Sequence, residues 1–184
     1  MPTPPSPEHR ITAEAFFRDQ HRYPDGCELV DGEVVELSPM KAPHGRTCAL
    51  ISTALGNFFR AHRDRYSNAD ILTGDVGYQL GDFIVRAPDI AVHLDVPEYT
   101  ETWLRTPPLV AIEVISPNDR WRAVEQKAHQ WLQFGVSEVW LADPTTQSVS
   151  VRSTTETRRF SEGEALKSSA LPAFQPTLSE LFQL

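Results

Sequence analysis

A mixed α/β fold, with a central mixed β-sheet flanked by helices, is predicted by three features of this sequence. Leu109 to Pro144 reads as strand, helix, strand. Hairpin signals at Asp31-Gly32 and Gly81-Asp82 supply antiparallel strands ahead of it. Between them lies a long amphipathic helix.

Each element follows from local chemistry. Thr12 suits the N-cap of a short helix over Ala13 to Phe17. Cys27 to Leu37 forms an N-terminal β-hairpin turning at Asp31-Gly32. Pro39 and Pro43 break the chain before a helix from about His44 to His62, with Cys48, Ile51, Leu55, Phe58 and Phe59 on one face. Asp75 to Val92 reads as a second hairpin, and Pro88 demotes its second strand to an edge or a bulge. Tyr99 to Pro108 is a loop or short helix.

Leu109 to Ile115 is β-branched and apolar on both parities, as a strand covered on both faces reads. Glu113 alone breaks the run, and a buried carboxylate is costly unless paired or coordinated. Asn118 or Asp119 offers a helix N-cap, and Trp121, Val124, Ala128, Trp131 and Leu132 recur at helical spacing. Gly135 fits the position past the helix end. Val136 to Asp143 resumes an extended pattern, so its strand and the Glu113 strand are expected to be parallel. Ser148 to Arg152 and Thr157 to Phe160 read as exposed polar strands. Leu178, Leu181 and Phe182 dock a closing helix.

The 184 residues carry 17 basic and 25 acidic side chains, a formal charge of −8. That argues against a protein held to nucleic acid by non-specific phosphate attraction. It leaves room for an enzyme acting on a phosphodiester, because a bound divalent cation inverts the local sign. Cys27 and Cys48 show no Cys/His metal spacing and suit reduced thiols. Met1 to Pro7 lacks the basic start and apolar core of a signal peptide. No apolar run approaches the roughly 18 residues of a membrane span. The expectation is a cytoplasmic protein without membrane contact, with a disordered Pro-rich start at 1–10 and a single domain at 11–184.

In order, the chain carries Glu28-Leu-Val-Asp-Gly-Glu33, Leu37-Ser-Pro39, His44, Arg86-Ala-Pro-Asp-Ile90, Glu113-Val-Ile-Ser-Pro117, Lys127, Val139-Trp-Leu-Ala-Asp-Pro144 and Leu171-Pro-Ala-Phe174. This ordered set resembles the Uma-two family of endonucleases within the PD-(D/E)xK nuclease superfamily. The resemblance implies a restriction-endonuclease-like core and hydrolysis of DNA phosphodiester bonds. It implies Mg²⁺ (or Mn²⁺) held by Asp89, Glu113 and the backbone carbonyl of Val114, with Lys127 as the third catalytic residue. Glu28 and His44 are accessory candidates, and a homodimer is carried as a further expectation. The superfamily lysine normally stands two residues after the acidic one, where this chain has Ile115. At about 100° per residue, Lys127 lies about 40° from Trp131, on the border of the buried face. Trp131 itself stands where the family usually has tyrosine.

Each residue also has a plain structural reading. Asp89 suits a turn, Lys127 a solvated helix face, and His44 a helix start. Glu113 suits a buried pair with Arg86 or Arg120, and Glu28 a pair within the hairpin. A module that kept the nuclease fold and lost turnover, or a phosphodiesterase acting on RNA or a nucleotide, therefore stands beside the endonuclease.

Overall fold

The computed structural model describes residues 10–95 and 101–183; the Pro-rich start up to residue 9 lies outside them. The Thr12 hydroxyl accepts the Ala15 N–H and caps α1 (Ala13–Arg18). β1 (Cys27–Val30) and β2 (Glu33–Glu36) form the expected hairpin. Asp31 and Gly32 both take positive φ, 53° and 87°, as a tight two-residue turn requires. α2 (Ala42–Ala61) starts earlier than predicted. Pro43 lies inside its first turn, where a missing N–H costs no intrahelical bond.

The second predicted hairpin needs the largest correction. β3 (Asp70–Thr73), β4 (Tyr78–Gly81), β5 (Ile84–Arg86) and β6 (Ile90–His93) follow α2. The stretch read as one strand across Pro88 is two strands in two sheets. β5 pairs with β4 and β1, whereas β6 pairs with β3 and with β7 (Val110–Val114). Pro88 has no N–H to give a ladder and falls between them. Of the stretch from Tyr99 to Pro108, residues 99 and 100 lie outside the described residues. Leu104 makes an isolated bridge to Tyr78, and no helix forms over 101–108.

After β7 come α3 (Trp121–Phe134), β8 (Glu138–Asp143), β9 (Ser148–Arg152), β10 (Thr157–Phe160) and α4 (Leu178–Phe182). β7 and β8 are parallel, as predicted for strands joined through a helix, with Val110 opposite Glu138 and Val114 opposite Ala142. Gly135 closes α3 at φ 108°. The α3 N-cap is Arg120 without a side-chain bond, because Asp119 turns back to accept the Ser116 N–H. Trp121 is 57% exposed rather than on the buried face, with the Arg152 guanidinium over its ring. The larger sheet runs β10-β9-β8-β7-β6-β3 and the smaller β2-β1-β5-β4. β9 is covered rather than exposed, because Val149 and Val151 enter the core while β10 takes the edge. No described helix is long and apolar enough to cross a membrane.

Strand parity decides the layering. Val110, Ile112 and Val114 of β7 join Ile90, Val92, Trp140 and Ala142 on the face packed by Ile51, Leu55 and Leu181 of α2 and α4. Each fully buried Val, Ile or Leu among them contributes about 1.5–3 kcal/mol. On the other face Ala91, Ala111, Val139 and Leu141 pack against Ala128 and Trp131 of α3. The small Ala91 and Ala111 leave depth for the Trp131 indole. Glu113 shares the parity of Ala111, so the sheet turns its carboxylate toward α3.

Candidate active site

Five polar side chains from separate elements meet where the two sheets adjoin α3. Lys127, one turn before Trp131, extends along α3 toward the end of β7. Its Nζ lies 2.9 Å from Glu113 Oε2 and 3.0 Å from Glu28 Oε1, and it donates to the Ala87 carbonyl at 2.9 Å. These contacts occupy the three protons of the ammonium. Glu113 Oε1 accepts the Trp131 indole N–H at 2.7 Å. Glu113 is therefore paired with α3, not with Arg86 or Arg120.

Arg86 takes Glu28 instead. Leu29 faces Val85 across β1 and β5, which sets Glu28 opposite Arg86 on one face. Arg86 Nη1 donates to Glu28 Oε2 at 2.7 Å, and the Ala87 N–H donates to Glu28 Oε1 at 3.0 Å. Gln130 Oε1 accepts from Arg86 Nε and Nη2 at 2.9 and 2.7 Å. Glu28 is thus a cross-strand partner, but across the sheet rather than within its hairpin.

Asp89 stands in the break between the sheets. Its Oδ2 accepts the Val114 N–H at 2.6 Å and lies 3.2 Å from His44 Nε2. His44 is in the first turn of α2, where a positive charge opposes the helix dipole unless an anion offsets it. The Asp89 bond is the main cause that raises the His44 pKa to about 10. Burial pushes the Glu113 carboxyl up to about 7, with the Asp89 and Glu28 charges adding to it against Lys127. The same carboxylates hold the Lys127 ammonium above its ordinary range against burial.

All five side chains singled out from the sequence lie in this cluster. Val114 enters through its N–H, whose partner is Asp89. Arg86 and Gln130 as the outer clamp, Cys48 beside His44 at 3.6 Å, and Trp131 as a donor were not foreseen in these roles. The available signal was Trp131, since a buried indole N–H needs an acceptor. A cleft of about 450 Å³ opens near Tyr23, Trp103 and Ala87 and includes none of the three carboxylates.

The Uma2 family model, described as "Putative restriction endonuclease", matches residues 14–180. Among solved structures the fold is similar to "a putative nuclease belonging to DUF820" from Anabaena variabilis ATCC 29413. That match has a TM-score of 0.77 and 20% identity, covering 94% of this chain and 97% of the other. No curated protein matches the chain.

Proposed function

The chain belongs to the Uma2 family, and we propose that it is a divalent-metal-dependent endonuclease that hydrolyses DNA phosphodiester bonds. The observation that carries this reading is Lys127 Nζ within 3.0 Å of both Glu28 and Glu113 at the end of β7. A cation from α3 thereby stands beside the end of β7, where Ile115, the residue after the strand, does not supply one.

The donor set fits Mg²⁺ or Mn²⁺, which take hard oxygen ligands from one or two carboxylates and complete their shells with water and phosphate. Asp89, Glu113 and the Val114 carbonyl would hold the ion. When bound, it polarises the phosphodiester and lowers the pKa of a coordinated water. Lys127 gives up Glu113 and turns its ammonium to the scissile phosphate, offsetting charge in the transition state. Glu28, fixed by Arg86 and the Ala87 N–H, keeps the lysine extended toward the site. Trp131 holds Glu113 in orientation through Oε1, leaving Oε2 to exchange partners. His44 fixes Asp89 from the opposite side.

A second reading has its own observation. Glu28, Asp89 and Glu113 face Arg86, Lys127 and a protonated His44, so the cluster is charge-balanced without a metal. That balance favours a module that kept the fold and lost turnover. Calorimetric titration with Mn²⁺ separates the two. Wild type should bind through Asp89 and Glu113, and the Asp89→Asn, Glu113→Gln double variant should not. Equal heats, or none from wild type, would leave the non-catalytic module.

A further inference from the structure

Beside the carboxylates, α2 contributes a group of different chemistry. His44 and Cys48 are one helical turn apart and share a face. Cys48 Sγ lies 3.6 Å from His44 Nδ1, and His44 Nε2 lies 3.2 Å from Asp89 Oδ2. One ligand atom from each of the three falls within 4.8 Å of the others. With bonds of about 2.0–2.3 Å, a tetrahedral Zn²⁺ separates its ligand atoms by roughly 3.3–3.6 Å. The two short contacts use different ring nitrogens, so the group, within 4.8 Å, must close by about 1.2 Å with the His44 ring turning before all three donors reach ligation spacing. A ring nitrogen, a thiolate and a carboxylate oxygen suit borderline-soft Zn²⁺, whereas Mg²⁺ selects oxygen.

We propose that His44, Cys48 and Asp89 form a second metal position, specific for a thiophilic divalent cation of the Zn²⁺ class. His44 supplies one ring nitrogen by turning about its side chain, and water completes the tetrahedron. Asp89 belongs both to this group and to the oxygen site beside Glu113. Zn²⁺ bound here withdraws Asp89 from that site and inhibits cleavage supported by Mg²⁺ or Mn²⁺. The inhibition rests on the endonuclease reading above; the binding does not.

The test reads binding without catalysis. Metal-free protein is titrated with Co²⁺, followed by thiolate-to-metal charge-transfer absorption, and with Zn²⁺ against a chromophoric chelator. Wild type should develop the thiolate band at a single equivalent. Cys48→Ser should abolish the band and weaken Zn²⁺ by no less than the ~10–100-fold that changing an outer-shell partner costs. His44→Gln, checked for native circular dichroism, should weaken it likewise, and Cys27→Ser should change neither signal. A band that survives Cys48→Ser, equal Zn²⁺ affinity in wild type and Cys48→Ser, or no band in wild type overturns the proposal. Absence of DNA cleavage leaves this outcome untouched, so the two readings fail separately.

Discussion

Lys127 Nζ and Glu113 Oε2 are 2.9 Å apart, joining the middle of α3 to the end of β7 through a largely buried ion pair. The pair is also crowded, because Glu28 and Asp89 place further negative charge around it. Burial and crowding pull in opposite directions from the attraction, and the balance sets how the metal-free protein behaves.

The first prediction concerns pH. The folded-state pKa of Glu113 rises from 4.5 to about 7, so the native state retains a proton that the unfolded chain releases. The resulting stabilisation is fully present below pH 4.5 and lost as pH rises through about 7. The loss is on the order of 3 kcal/mol. Urea unfolding of metal-free wild type should therefore weaken across that window, and Glu113→Gln should flatten the profile and be at least as stable at pH 8. If the ion pair instead anchors the fold, Glu113→Gln costs about 3–5 kcal/mol. A loss of that size at pH 8 would refute the crowding account.

The second concerns His44. Its pKa is raised from 6.5 to about 10, chiefly by the bond to Asp89. A raised histidine contributes stability that is complete below pH 6.5 and disappears as pH passes about 10. In the metal-free protein the His44 ring resonances should hold their protonated shifts through pH 8. Asp89→Asn should bring the midpoint back toward 6.5. A midpoint near 6.5 with Asp89 intact would mean that the pair does not form in solution.

The third concerns Trp131. Trp131→Phe keeps an aromatic ring beside Tyr78 but removes the N–H that Glu113 Oε1 accepts. A buried acceptor left without its donor costs about 1–3 kcal/mol. Chemical denaturation at pH 8 measures it together with the cavity that the smaller ring leaves, and an unchanged midpoint would show that neither the bond nor the packing contributes.

Glu113 was legible because it is the one charged residue in an apolar strand, whereas Lys127 stood out through the family resemblance, with helical phase only setting it at the border of the buried face. The parallel β7 and β8 followed from a helix of the right length between two strands. What escaped was non-local. Glu28 meets Arg86 across 58 residues of chain, and no periodicity within either strand announces that pairing. The split at Pro88 was half-read, since proline signals an interruption but not that the two pieces join different sheets. β3 was missed because four residues with Ile71 and Leu72 at the centre are too few for an alternating pattern. Cys48 follows His44 by four residues, which sets both on one helix face, but two donors alone do not announce a metal position. The partners of Cys48 come together only once His44, in the first turn of α2, meets Asp89, the residue before β6.

Lys127 tests the central claim most directly. Its burial among Glu28 and Glu113 means that Lys127→Ala is not silent in the metal-free fold, where stranded carboxylates cost about 3–5 kcal/mol. Mn²⁺ should return part of that stability, so the comparison is made at saturating Mn²⁺ with folding verified. The measurement is the single-turnover cleavage rate of supercoiled plasmid by wild type and by Lys127→Ala. The account predicts a rate lower by about 10²–10³ in the variant, the worth of one charge contact to the transition state. Equal rates, or no Mn²⁺-dependent cleavage by wild type, would contradict it.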